Sequence, residues 1–205
     1  MKKIFWIIFA ILCILIGLYP FAYVFLDMGD GLLSSKSDEL LSNTLWNITF
    51  YGHIVLGGIA LMIGWLQFSE KLRDKNISLH RLIGRIYVIF AIISSLCSLY
   101  IGIYATGGMV SIIGFLSLGV IWFATTLSAY LAVKNKNIQL HKDMMIYSYA
   151  ACFAAVTLRL WLPILVISIG DFIPAYRIVA WLCWVPNLVV AYFIVSKSKP
   201  TIAAV

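Results

Sequence analysis

The sequence carries little charge, and it is especially poor in acidic residues. Of its 205 residues only 11% are charged, and 8 aspartates and glutamates stand against 15 lysines and arginines. A soluble domain has roughly 25% charged residues, so this chain has too few charges to cover a surface that faces water. The scarcity excludes a soluble enzyme, a disordered tail and a secreted disulfide scaffold.

Motifs that would carry a familiar chemistry are also absent from the sequence. There is no phosphate-binding G-x-x-x-x-G-K-[ST] loop, no H-E-x-x-H zinc pattern and no G-x-S-x-G nucleophile turn. No residue is therefore assigned a catalytic role. The cysteines stand far apart within apolar stretches, which predicts small packing residues and neither a metal site nor a disulfide; they are Cys13, Cys97, Cys152 and Cys183.

What the chain has in abundance is apolar sequence, with 63% hydrophobic residues. Six stretches reach the length of about 20 residues that a helix needs to cross a bilayer, and none shows the alternation of a barrel strand. The sequence predicts an all-α, polytopic bundle of six transmembrane helices that forms one integral membrane domain over residues 1–205. The stretches are 4–26, 46–68, 82–105, 109–133, 144–169 and 173–195.

The basic residues lie almost entirely on one side of these six stretches. If the N-terminus is cytoplasmic, twelve of the fifteen fall on the cytoplasmic side, Lys36 and Arg177 fall outside, and Arg159 lies within a helix. Because positive charge accumulates on the cytoplasmic side of membrane proteins, the chain is expected to be a multi-pass protein of the cell membrane with both termini in the cytoplasm. The net charge of +7 then indicates membrane lipid as the partner and argues against nucleic acid.

Two connecting segments on that side repeat each other. Residues 75–81 read Lys-Asn-Ile-Ser-Leu-His-Arg, and residues 136–142 read Lys-Asn-Ile-Gln-Leu-His-Lys. The segments are separated by two helices, which keeps the same membrane orientation. They therefore suggest a parallel two-helix repeat that relates helices 2 and 3 to helices 4 and 5.

The repeated residues predict the start of the third and fifth helices. Asn76 and Asn137 are good N-cap residues, so His80 and His141 are expected in the first turn of each helix. Helix N-termini attract anions. With cations such as Arg81 nearby, the two ends would suit a phosphate, a carboxylate or the propionates of haem; the alternative is that these residues only cap helices.

Two polar residues are embedded in the apolar stretches of helices 2 and 5. His53 and Arg159 each lie about 15 residues, or ~22 Å, from the cytoplasmic end of their helix, and a charge at such depth usually faces a cavity or the protein interior. The alternatives are a core histidine and an arginine that reaches the outer headgroups. Gly57, Ala60 and Gly64 share the face of His53, a strip that suits either a flat macrocycle or close helix packing.

A His-Arg-x-x-Gly-Arg-x-Tyr string runs from His80 to Tyr87. Its companions in chain order are His53, a Trp-Leu-Gln-Phe run at 65–68, His141 and Arg159. On these residues the chain resembles an uncharacterised family of predicted bacterial multi-helix membrane proteins, a domain of unknown function. The resemblance implies a multi-helix membrane fold and brings no activity with it.

Three functional hypotheses follow from the embedded residues. The first is a binding or transport protein for a small anionic or lipid-like ligand near His53 and Arg159. The second is a redox protein that binds haem b through histidines on separate helices, and the third is a structural subunit of a membrane complex. The candidate ligand-binding residues are His53, Arg159, His80, Arg81, Arg85 and His141, of which His53, His80 and His141 are the candidate haem ligands.

Overall fold

The computed structural model describes residues 2–24 and 33–198 of the chain. Throughout these residues the regular elements are helices, which confirms the all-α prediction. Six of the helical stretches are long and apolar enough to cross a membrane, which confirms the six predicted spans. In chain order the first to sixth spans are Lys3–Phe21, Thr44–Phe68, Ile77–Gly102, Met109–Lys134, Ile138–Ile169 and Phe172–Ser198. Asp27, Asp30 and Lys199, which entered the prediction of orientation, lie outside the described residues.

Several spans change helix type or break along their length. The regular α-helix of the first span ends two residues before Pro20, as expected for a residue that lacks a backbone N–H. The fifth span breaks at Phe153, and the sixth breaks just before Pro186. The helices are Lys2–Leu18, Tyr19–Val24 (3-10), Leu33–Ser35 (3-10), Asp38–Leu41, Thr44–Gly64, Trp65–Phe68 (3-10), Glu70–Lys75, Ile77–Gly102, Met109–Lys134, Ile138–Cys152, Ala154–Ile169, Phe172–Leu182 and Val185–Ser198.

The third and fifth spans begin at the predicted asparagine caps. The Asn76 side chain accepts a hydrogen bond from the Leu79 backbone N–H at 2.9 Å, and Asn137 accepts one from Leu140 at 3.0 Å. Both helices therefore start ahead of their apolar stretches, which begin at residues 82 and 144. His80 and His141 become the fourth residues of their helices, whereas the two-helix repeat itself stays a prediction.

The second to fifth spans pack in chain order, each against the next. The second and fifth spans also touch, which closes these four helices into a bundle. The first span lies against the second, and the sixth lies against the fourth and fifth. The core between the first five spans is aromatic and tightly filled; its largest buried side chains are Leu61, Tyr87, Trp122, Met145 and Tyr149.

Glycines set the closest helix crossings. A Cβ atom on Gly58 would lie 2.6 Å from the Gly17 carbonyl oxygen, so the first and second spans meet backbone to backbone. A Cβ atom on Gly114 would lie 2.8 Å from the Ala180 carbonyl oxygen, which gives the fourth and sixth spans the same close approach. Such contact between small residues is the usual way in which membrane helices pack.

The described part of the loop before the second span, residues 33–43, folds over the ends of the second and third spans. Leu33 is buried against Trp46 and Phe50. Lys36 donates hydrogen bonds to the Tyr104 carbonyl oxygen at 2.5 Å and to Thr106 Oγ1 at 2.9 Å. These contacts tie the loop to the turn between the third and fourth spans. We call this end of the bundle the loop end, and the end at which the third and fifth spans begin the basic end.

Candidate functional site

His80 and His141 both lie at the basic end of the bundle. They occupy the same position in two helices that run in the same direction, and the His141 ring is near enough to act electrostatically on the His80 ring. The charges of Arg73 and Arg81 also act on the His80 ring. The structure therefore joins two of the predicted histidines and one predicted arginine in a single cluster.

The His141 ring is held by one hydrogen bond to the fourth span. Its Nδ1 atom lies 2.9 Å from the Ala129 carbonyl oxygen. Since a carbonyl oxygen only accepts, Nδ1 carries a proton, and in the neutral ring the lone pair is on Nε2. A histidine that ligates a metal is usually oriented in this way, with its other ring nitrogen donating to a carbonyl group.

The His80 ring is less completely satisfied. Its Nδ1 atom is buried and has no hydrogen-bond partner among the described residues. The backbone of His80 is fixed, because its carbonyl oxygen accepts a hydrogen bond from the Gln67 side chain at 3.1 Å. A buried ring nitrogen without a partner loses its hydration without gaining a hydrogen bond, which makes this atom a candidate ligand-binding group.

Arg85, the last of the basic candidates, is exposed at the surface of the third span. Within the described residues it makes no hydrogen bond or ion pair with another candidate. The structure therefore does not bring Arg85 into the histidine cluster.

His53 lies in the opposite half of the bundle and is bonded to the third span. Its Nδ1 atom lies 3.0 Å from the Ser94 carbonyl oxygen, and the Ser94 hydroxyl donates to the His53 carbonyl oxygen at 2.8 Å. The ring also meets the Trp122 indole edge-on, with centroids 6.4 Å apart. As in His141, Nδ1 therefore holds the proton and Nε2 the lone pair.

Arg159 is close enough for its charge to act on the His53 ring. The guanidinium group stacks on the Tyr19 ring of the first span, 4.4 Å from the ring centroid. Its Nη1 atom also donates to the Ala155 carbonyl oxygen, one turn earlier in its own helix, at 2.9 Å. These contacts hold the charge between the first, second and fifth spans.

The strip of small residues on the second span is occupied by side chains of its neighbours. A Cβ atom on Gly57 would lie 2.8 Å from the Ser94 hydroxyl oxygen, and one on Gly64 would lie 2.5 Å from the Tyr149 ring. Ala60, between them, is fully buried. The strip therefore serves helix packing, and a flat macrocycle does not fit along it.

A family model described as "Predicted membrane protein (DUF2306)" matches residues 50–195. The chain belongs to this family of predicted membrane proteins. No curated protein and no solved structure matches the chain. The match extends from just before His53 to beyond Arg159 and so includes every candidate residue. The family, whose function is unknown, confirms the membrane location without indicating a ligand.

Between the two histidine levels lies a buried network of hydroxyl groups. The Tyr87 and Ser148 hydroxyl oxygens are 2.8 Å apart, and Ser148 lies 2.7 Å from the Thr126 hydroxyl. Thr126 in turn donates to the Trp122 carbonyl oxygen at 2.7 Å. These bonds join the third, fourth and fifth spans of the DUF2306 protein at mid-height.

Sequence reasoning missed this network, although part of its signal was present. Tyr87 and Ser148 each follow a histidine by seven residues, which places them on the same helix face as His80 and His141. Thr126 gave no such signal, because its role depends on how the fourth span packs between its neighbours.

Proposed function

We propose that this DUF2306 protein binds haem b at the basic end, with His80 and His141 as the two axial ligands. The observation that carries the proposal is that two histidines hold equivalent positions in parallel helices at one end of the bundle, where the His141 ring acts electrostatically on the His80 ring. Haem iron takes its other four ligands from the porphyrin, so two side chains suffice. Across the described ranges no group of three or more His, Cys, Asp or Glu side chains could hold a bare metal ion.

The side chains around the cluster suit this ligand. The Ala129 carbonyl oxygen fixes the proton of His141 on Nδ1 and leaves Nε2 for the iron. The buried Nδ1 atom of His80 lacks a partner among the residues described. Arg81 and the N-termini of two helices supply positive charge for the anionic propionates. A bound haem supplies one-electron redox chemistry.

The test is an absorption spectrum of the protein purified in detergent after expression with ample haem precursor. We expect a Soret band that is lost in both His80→Ala and His141→Ala. His53→Ala is the matched control and should keep the band, because His53 lies at the other level of the bundle. A folded, colourless wild-type protein, or equal loss of the band in His53→Ala, would contradict the proposal.

The second candidate function is binding of a small anionic or lipid-like ligand between His53 and Arg159. The observation that favours it is the electrostatic proximity of an arginine and a histidine within the membrane-spanning part of the chain. The guanidinium group offers charged donors, and the unprotonated Nε2 of His53 offers an acceptor. A carboxylate with an apolar tail would pair with the guanidinium group, and a hydroxyl or N–H group on the ligand could donate to Nε2.

Decanoate and decanol are suitable probes for this second site, since they share a chain length and differ in charge. We expect decanoate to raise the melting temperature of the purified protein more than decanol does. Arg159→Gln should abolish the difference. Arg177→Gln, which removes a loop arginine bonded to Gly107, is the control and should retain it. Equal effects of the two probes on wild-type protein would exclude an anion site.

For orientation, we propose that the basic end faces the cytoplasm and that both termini lie there. The support is the distribution of charge, with twelve of fifteen basic residues on that side. Alkaline phosphatase, which is active only outside the cytoplasm, distinguishes the two topologies. A fusion after Gly108 should be active and a fusion after Ser198 inactive; the reverse result would invert the topology.

A further inference from the structure

A groove of about 430 Å³ lies at the basic end, beside the short helix Glu70–Lys75 and the start of the third span. It adjoins the histidine cluster, since Leu79 precedes His80, but its lining contains none of the candidate residues of that cluster or of the His53–Arg159 pair. Because it follows directly after the second span and precedes the third, it lies where the bundle leaves the hydrocarbon layer. Its lining residues are Ser69, Lys71, Leu72, Lys75, Asn76 and Leu79.

The charges of the short helix are divided between its faces. Arg73 is the residue that meets the two acids, at 3.9 Å from Glu70 and 3.4 Å from Asp74. Lys71 and Lys75 are four residues apart, so they share a face, and both line the groove. Neither lysine forms an ion pair with any residue that the structure describes. The groove thus carries two positive charges that the protein itself does not neutralise.

The remaining lining residues provide hydrogen-bond donors and the apolar side chains of two leucines. The oxygens of Ser69 and Asn76 accept hydrogen bonds from the backbone N–H groups of Leu72 and Leu79. The Ser69 hydroxyl proton and the Asn76 amide protons therefore remain to be donated. Leu79 is 39% exposed and offers apolar surface next to these donors. The groove therefore offers positive charge and hydrogen-bond donors to a phosphate group, and next to them an apolar surface to an acyl chain.

We propose that this groove binds an anionic phospholipid, with its phosphate between Lys71 and Lys75 and its acyl chain against the leucines. The phosphate would also be recognised in free inorganic phosphate. The two leucines favour a phospholipid over free phosphate, because only the lipid has an acyl chain that can bury their apolar surface. The proposal does not rest on haem or anion binding elsewhere in the bundle, because Lys71 and Lys75 belong to neither candidate site.

The experiment measures binding of short-chain phosphatidylglycerol to the detergent-purified protein by native mass spectrometry, with phosphatidylcholine as the neutral lipid. Each lysine near an anionic membrane surface strengthens binding about fivefold, so Lys71→Gln with Lys75→Gln should weaken phosphatidylglycerol binding about 25-fold. The control, Lys134→Gln with Lys197→Gln, removes the same charge from exposed positions outside the groove and should change affinity little.

Three results would overturn the proposal. The first is an equal loss of affinity in both double variants, which would indicate general attraction to surface charge. The second is equal binding of phosphatidylcholine and phosphatidylglycerol by the wild type. The third is displacement of the lipid by an equal concentration of inorganic phosphate, since the acyl chain would then add nothing to binding.

Discussion

Replacing Gly64 by alanine tests whether the small-residue strip of the second span is a packing surface. Gly64 ends the regular helix with φ −65° and ψ −33°, angles that alanine adopts freely. On helix propensity alone the substitution would therefore stabilise the protein by up to about 1 kcal/mol. Its Cβ atom, however, would lie 2.5 Å from Tyr149 Cε2 and 2.7 Å from Tyr87 Cδ2.

Neither ring can retreat without breaking a buried hydrogen bond. The Tyr149 hydroxyl donates to the Leu61 carbonyl oxygen at 2.8 Å, and the Tyr87 hydroxyl is bonded to Ser148. Overpacking a filled core costs about 1–3 kcal/mol, and a hydrogen bond lost within a membrane protein costs about 0.6 kcal/mol more. The cost of the steric contact is larger than the gain in helix propensity. We therefore expect Gly64→Ala to lower the free energy of unfolding by about 1–3 kcal/mol.

Gly52→Ala is the matched control, because it lies in the same helix and would meet only Cys97 Sγ, at 3.4 Å. That distance is ordinary van der Waals contact, and stability should be unchanged or higher by up to about 1 kcal/mol. The assay is unfolding of the detergent-purified proteins in sodium dodecyl sulfate, followed by circular dichroism. If Gly64→Ala were as stable as Gly52→Ala, the strip would be an open surface and the packing argument would fail.

Two further substitutions probe the polar contacts within the helices. Asn187 donates to the carbonyl oxygens of Ala150 and Cys183, beside the breaks in the fifth and sixth spans. Asn187→Leu should therefore destabilise the protein by about 1–3 kcal/mol in the same unfolding assay. An unchanged midpoint of the unfolding transition would show that these hydrogen bonds do not stabilise the helix breaks. Asn137→Ala removes the cap of the fifth span and should cost about 1 kcal/mol; Asn135→Ala, in the same turn, should cost less, and equal losses would contradict the role of the cap.

The spans and the asparagine caps could be predicted from sequence because both depend on local information. An apolar stretch of sufficient length forms a helix in lipid since no other structure satisfies its backbone. An asparagine before such a stretch caps it through a residue only three positions away. The similar depth of His53 and Arg159 also followed from helix rise alone.

The partners of those residues could not be predicted, because they depend on which helices become neighbours. The Ser94 carbonyl oxygen that accepts from His53 is 41 residues away in sequence, and the Tyr19 ring beneath Arg159 belongs to the first span. Periodicity places a side chain on a face without stating what that face meets. The sequence left two uses open for the small-residue strip, a flat macrocycle or close helix packing. Sequence could not decide between them, because the rings that fill the space opposite Gly64 come from the third and fifth spans.

The filled strip has a consequence for how many haem groups the bundle can hold. His53 is separated from the His80–His141 pair by the strip on one side and by the hydroxyl groups of Tyr87 and Ser148 on the other. A porphyrin ligated by His53 would have to displace these packed groups, and every other described histidine lies at the basic end. One haem at the basic end therefore agrees with the packing, whereas ligation by His53 does not. If haem binds as proposed, we expect a spectrum that is unchanged in His53→Ala and abolished in His141→Ala.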